Sequence, residues 1–302
     1  MRVAVVDLGT NSTRLLIADV GDDGHVEEIA RRSTVTRLGQ DLERTGVLAA
    51  EAMQRVATVL EEYRGVIDEL DVDVATGVLT SAARDAANGA DLTTLVCDRY
   101  AIDARTITGD EEAQLTYLGA TSEQHGDATT LVVDIGGGST EFVVGRGDAL
   151  LFHVSTQVGV VRHSERYLDD DPPADEQLGA LRKDVADEFA KHRQPGIEAG
   201  IAVAGTATSC AAMLLELDPY DPDHVEGYVL RRDVVEQLLA RTAALALPER
   251  RALAGLHPDR APTIVAGIAI LLETMTTFEL DEITVSEHDI LRGVALARAR
   301  EG

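Results

Sequence analysis

Cysteine is scarce in this chain of 302 residues, which has only Cys97 and Cys210, far apart and without metal-ligand spacing. Neither a disulfide framework nor a zinc or iron–sulfur centre fits that usage, and both residues read as core. Lysine is nearly missing too: Lys183 and Lys191 are the only two among 27 basic residues, a bias that points to GC-rich coding more than to mechanism. No apolar run is long enough to cross a bilayer, the longest lying near Ile264 to Leu272. The first residues lead directly into a strand at Arg2-Val3 without a secretory signal pattern, so the expectation is a cytoplasmic protein with no membrane partner. The eight histidines show no His-x-x-x-His or related spacing and read as structural or surface residues.

An excess of positive charge is also missing. Against 27 basic residues stand 53 acidic ones, a formal charge of −26. Nonspecific nucleic-acid binding needs Lys and Arg spread over a broad surface to neutralise phosphates, so nucleic acid is excluded as a partner of that kind. Any polyanionic ligand has to be received by a local basic site and a metal. Arg14, Arg31, Arg32, Arg37 and Arg84 make the N-terminal half the better place, although Arg31 and Arg32 read as solvated surface. What the chain has in plenty is apolar residues, 45% of the total, enough for the cores of one large or two medium domains.

The most informative stretch is Leu131-Val132-Val133-Asp134-Ile135-Gly136-Gly137-Gly138-Ser139-Thr140-Glu141-Phe142. It reads as an apolar strand, an Asp, a three-glycine turn with two hydroxyls, and a second β-rich run. Glycines permit positive φ and close approach to an anion, and successive N–H groups with Ser139 and Thr140 supply donors to phosphate oxygens. Asp134 and Glu141 would repel phosphate by themselves. A hard cation, Mg²⁺ or Mn²⁺, resolves that repulsion by binding carboxylates, waters and phosphates together. The alternative is a tight hairpin that Asp134 merely caps.

The start of the chain repeats this pattern. Val5-Val6-Asp7-Leu8-Gly9-Thr10-Asn11-Ser12-Thr13 aligns with Val132 to Thr140, matching at Val, Val, Asp, Gly, Ser and Thr, and apolar runs flank both copies. A structural duplication accounts for this, each half presenting one phosphate hairpin. A third strand-to-helix junction, Ile201 to Ser209, carries Gly205 and Thr206 and reads either as another phosphate or nucleotide loop or as a plain helix start.

Between these junctions, residues 2 to 35 read as a β-meander, Ala49 to Leu70 as a helix and Asp73 to Leu79 as a strand. Thr80 to Gly89 looks like a hydroxyl-capped helix start with Arg84 one turn inside, where an anion is favoured. Thr108 and Glu111 have capping-box spacing, which gives Glu111 a structural task. Glu112 points about 100° away around the helix and is the freer carboxylate, complementing the helix dipole or working as an acid–base group. The polar stretch Ser122 to Ala128 is the expected boundary between domains 1–121 and 122–302.

These motifs, spread from about residue 2 to about residue 298, resemble the exopolyphosphatase and guanosine pentaphosphate phosphatase (Ppx/GppA) family. The resemblance implies an α/β fold of two actin-like domains (ribonuclease H-like, the ASKHA superfamily) around an interdomain cleft. It implies that Gly9, Thr10, Asn11, Ser12, Gly136, Gly137, Gly138, Ser139 and Thr140 bind phosphate, with Arg84 lining the phosphate channel and Gly205 and Thr206 in a third loop. By the same resemblance Glu112 is the catalytic base, and Asp134, Glu141 and Asp7 hold Mg²⁺ or Mn²⁺ directly or through water.

The implied reaction is hydrolysis of the terminal phosphoanhydride of inorganic polyphosphate, with short chains preferred because the acidic surface repels long polyanions. The alternative within the family is removal of the 5′ γ-phosphate of guanosine pentaphosphate, an activity tied to guanosine penta- and tetraphosphate and the stringent response. A small-molecule kinase and a non-catalytic polyphosphate or nucleotide sensor are more distant alternatives, and a homodimer is left open. Two positions depart from the family pattern. Glu226 precedes Gly227 where a basic or histidine residue is expected, and Asp289 falls in the variable run Ser286 to Asp289.

Overall fold

A computed structural model describes residues 1–123, 126–147 and 149–301. The chain divides into two compact units, Met1–Ser122 with His288–Gly302, and Glu123–Glu287.

In the first unit, β1 (Arg2–Leu8), β2 (Ser12–Val20) and β3 (Val26–Val35) form the expected antiparallel meander. The long helix Ala50–Glu69 follows, and then β4 (Val74–Leu79) and β5 (Asp103–Thr106) extend the sheet in parallel, giving the order β3-β2-β1-β4-β5. The run Val3 to Val6 lacks polar alternation because β1 is covered on both faces. Ala4, Val6 and Leu8 pack with Val56, Leu60 and Tyr63 of the long helix. Val3 and Val5, pointing the other way, pack with Ile290, Leu291 and Val294 of the closing helix Ile290–Glu301.

The closing helix therefore belongs to the first unit, which corrects the expected second domain of 122–302 at its far end. The physical reason is the second apolar face of β1, against which this helix packs together with Leu115 and Leu118 of Gly109–Ala120. The two helices meet at bare backbone. A Cβ on Gly293 would lie 1.8 Å from the Leu115 carbonyl oxygen, and one on Gly119 would lie 1.9 Å from that of Asp289. Gly293→Ala is accordingly expected to lower the unfolding free energy by about 1–3 kcal/mol, a typical cost of overpacking, read as a lower urea midpoint at unchanged slope. An unchanged midpoint would mean that the crossing has room the structure does not show.

The second unit repeats the scheme. Strands β6 (Thr129–Ile135), β7 (Thr140–Arg146) and β8 (Ala149–Thr156) form a meander, and β9 (Ala199–Val203) lies parallel to β6. Strand β10 (Val229–Arg231) pairs with β11 (Glu282–Val285), which is parallel to β9, so the order is β10-β11-β9-β6-β7-β8. The helix Ile264–Thr277 is buried along nearly its whole length, which explains why it is apolar all round. Among the described residues no helix is long and apolar enough to cross a membrane. A three-stranded meander extended by parallel strands, occurring twice, is the duplication that the repeated motif implied and the actin-like, ribonuclease H-like α/β architecture that the family resemblance implied.

Candidate active site

In each unit the candidate residues collect at the carboxyl ends of parallel strands, the edge where open α/β sheets bind ligands. In the first unit Asp7 ends β1, the short helix Ser81–Asp85 follows β4, and the helix Gly109–Ala120 follows β5. The strand ends are tied together, since Thr80 N donates to the Leu8 carbonyl at 3.3 Å and Ile107 N to the Leu79 carbonyl at 3.1 Å.

The two glycine hairpins are built alike. Gly9 N donates to Ser12 O, and Gly136 N to Ser139 O, both at 3.0 Å. The next segment of chain then holds the loop carbonyls. Thr36 N and Arg37 N donate to Asn11 O, and Gly39 N to Thr10 O. In the second hairpin Val160 N donates to Gly136 O, Val161 N and Arg162 N to Gly137 O, and Arg162 Nε to Gly138 O. Among the described residues, the amides of Thr10, Asn11, Gly137 and Gly138 donate to nothing. Carbonyls held back and N–H groups left over make a pair of anion-receiving turns.

The expected use of positive φ is corrected here, because none of Gly9, Gly136, Gly137 and Gly138 adopts it. A Cβ on Gly9 or Gly136 would lie 3.1 or 3.2 Å from the carbonyl oxygen of Ser12 or Ser139, a tight contact, and the closest approach is at the neighbouring Gly159. A Cβ on Gly159 would fall 2.4 Å from Gly137 O, so only glycine lets the following helix reach the turn.

Thr140 does not present its hydroxyl to a ligand. It is fully buried and donates to Val158 O at 2.7 Å, while its own carbonyl accepts from the Thr156 hydroxyl. Its position braces the turn, whereas Ser139 has no hydrogen-bonded side-chain partner among the described residues.

Asp134 and Glu141 are directly opposed across β6 and β7 and both are buried. The Ser155 hydroxyl donates to Glu141 Oε1 at 2.8 Å. The equivalent pair of the first hairpin differs in charge: Asp7 is opposite Arg14. Arg14 donates from Nε and from Nη2 to the same oxygen, Asp7 Oδ2, at 2.8 and 2.6 Å. Oδ1 of Asp7 is buried and has no partner. Burial pushes the Asp7 carboxyl above its ordinary range, with Arg14 opposing the shift.

Glu112 is buried, and its Oε2 accepts from Arg84 Nη1 at 2.9 Å; the same nitrogen donates to Ile107 O at 3.1 Å. Glu111 faces elsewhere. Its amide takes the Thr108 hydroxyl as N-cap, and its carboxylate pairs with Arg105 at 2.5 Å, which holds it below the usual carboxylate range. The Thr half of the expected capping box is present, and Arg105 is the principal partner on the Glu side. The Arg84 helix lacks the expected hydroxyl cap, since the Thr80 side chain makes no cap bond, and it ends at Asp85.

The third junction has no hydroxyl cap either, its N-cap being Val203. Thr206 packs against Gly267, and the Arg260 guanidinium lies on Gly205, where a Cβ would meet Nη1 at 1.5 Å. Arg260 escaped the sequence reading. Its only signal is its place in the polar loop before the buried helix Ile264–Thr277. Among the described residues no three potential ligands cluster to hold a metal ion. The Asp134–Glu141 pair nevertheless fits Mg²⁺, which commonly takes one or two carboxylates and fills its remaining positions with waters and phosphate oxygens.

Residues 16–300 match the model of the Ppx/GppA phosphatase family. The chain is 35% identical to exopolyphosphatase 2 of Mycobacterium tuberculosis over 316 aligned positions, covering 99% of this chain and 98% of that one. Among solved structures, a Ppx/GppA family member from Aquifex aeolicus is 31% identical with a TM-score of 0.85, covering 100% of this chain and 98% of that one. An exopolyphosphatase from Cytophaga hutchinsonii is 26% identical with a TM-score of 0.90, over the same shares.

Proposed function

This chain belongs to the Ppx/GppA phosphatase family, and on that premise we propose that it is an exopolyphosphatase, hydrolysing the terminal phosphoanhydride of inorganic polyphosphate. The observation that carries the reading is Glu112, a buried carboxylate held by Arg84 at the strand edge that also bears the Asp7 hairpin. The resemblance to an exopolyphosphatase over nearly the whole of both chains supports the same substrate.

Glu112 accepts a proton from a water molecule as the water oxygen bonds to the terminal phosphorus. The bridging P–O bond breaks, and the shortened chain leaves with the electron pair. In the first unit the amides of Thr10 and Asn11 receive phosphate oxygens, and in the second unit those of Gly137 and Gly138 do. Arg84 is shared between Glu112 and phosphate, so an arriving phosphoryl group draws the guanidinium and loosens its hold on the base. Asp134 and Glu141 would hold Mg²⁺ or Mn²⁺, which would offset the charge of phosphate at the second hairpin. Little else is needed, because phosphoryl transfer depends mainly on positioning and charge stabilisation.

The test is phosphate release with Mg²⁺ from short polyphosphate, long polyphosphate, guanosine pentaphosphate and ATP side by side. Short polyphosphate is expected to be turned over fastest, since the net charge of −26 repels a long polyanion outside the site. Release from guanosine pentaphosphate alone would move the assignment to the family's other activity. Transfer from ATP to a small acceptor would make it a kinase, and binding without release would make it a sensor.

A further inference from the structure

The Arg14 guanidinium has a second carboxylate partner, from the far end of the chain. Its Nη1 contacts Asp289 Oδ2 while Nε and Nη2 hold Asp7 Oδ2. Asp289 is buried, and its other oxygen accepts from Leu291 N at 3.0 Å at the start of the closing helix. Arg31 stands 3.8 Å from Asp289 but pairs with Glu28 as well. Three carboxylates, Asp7, Asp289 and Glu28, thus face two guanidiniums, Arg14 and Arg31.

A guanidinium is a fork able to bind both oxygens of one carboxylate. Here Nε and Nη2, the two donors of one fork edge, converge on Oδ2 of Asp7 while Asp289 holds Nη1 and so fixes the tilt of the guanidinium; Asp7 is held by a single oxygen, and its Oδ1 stays buried and unpartnered. Leaving such a buried acceptor without a donor is unfavourable. We propose that Asp289 is a positioning residue for the first hairpin: it draws Arg14 off Asp7 Oδ1 and keeps that oxygen and its charge for a ligand, a cation or a water of its shell. This rests on the phosphatase reading of the site.

Asp289→Asn is the discriminating variant, because Asn still accepts the Leu291 amide as a helix cap and loses only the charge that attracts Arg14. Two measurements are made. The first is binding of Mn²⁺ by the whole protein in the presence of imidodiphosphate, followed by electron paramagnetic resonance. The second is the split of kcat and KM with short polyphosphate. Losing support behind a ligand-holding group typically costs about 10- to 100-fold, so Mn²⁺ is expected to bind about tenfold more weakly, with kcat reduced at limiting cation, KM little changed and the thermal midpoint retained.

Arg14→Lys cannot fork between two carboxylates, and its effect on Mn²⁺ should not add to that of Asp289→Asn in the double variant. Wild-type Mn²⁺ binding by Asp289→Asn, or simple additivity in the double variant, would overturn the proposal and leave Asp289 as a helix cap. If Asp289→Asn fails to fold, additivity is read from Arg14→Lys with and without Asp289→Ser, which also retains a capping oxygen. Absence of phosphate release by the unaltered protein would instead defeat the functional reading, while the Mn²⁺ result would still decide the role of Asp289.

Discussion

Glu112→Gln is expected to lower kcat about 10²- to 10⁴-fold, the usual worth of general-base assistance, while polyphosphate binding and the thermal midpoint stay near those of the unaltered protein. Gln keeps the volume and an oxygen that accepts from Arg84 at the position of Oε2; what it loses is the capacity to take a proton. The neighbouring Glu111→Gln is the control. Its partner Arg105 is more than half exposed, and an exposed pair contributes about 0–1 kcal/mol, so this variant should cost a little stability and almost no turnover. The comparison is made by phosphate release at saturating short polyphosphate. If Glu111→Gln abolishes release and Glu112→Gln does not, the base is the outer carboxylate; if neither matters, water is activated elsewhere and the mechanism falls.

Asp134→Asn and Glu141→Gln are expected to raise the divalent-cation concentration needed for half-maximal activity, and to lower activity at fixed cation by at least about 10- to 100-fold, the cost usual for groups that only support a ligand. The argument is the direct opposition of two buried carboxylates on β6 and β7. Like charges in directly opposed strand positions are destabilising by up to about 1 kcal/mol. In chelator, therefore, each variant should unfold at an equal or higher temperature than the unaltered protein, and added Mg²⁺ should narrow that difference. Full activity of the unaltered protein in excess chelator would falsify the metal role, although the amides of the hairpin could still receive phosphate.

Local pattern alone determined much of the architecture. The first meander, the helix over 50–69 and the repeated Asp-and-glycine turns were legible because each depends on short-range spacing: apolar runs for doubly covered strands, three- and four-residue intervals for the helix. The separate directions of Glu111 and Glu112 were legible too, since neighbours on a helix diverge by about 100°, and the structure gives them different arginine partners. Only tertiary structure decided the rest. The closing helix returned to the first sheet because Val3 and Val5 present an apolar face that nothing near them in sequence covers. Thr140 became a brace because Val158 O lies within reach of its hydroxyl. Arg260 and Asp289 entered through contacts between segments 55 and 275 residues apart. A hydroxyl or a charge reads the same in sequence whether it meets a ligand or its own backbone, and which of the two it meets is settled only when distant strands and helices come together.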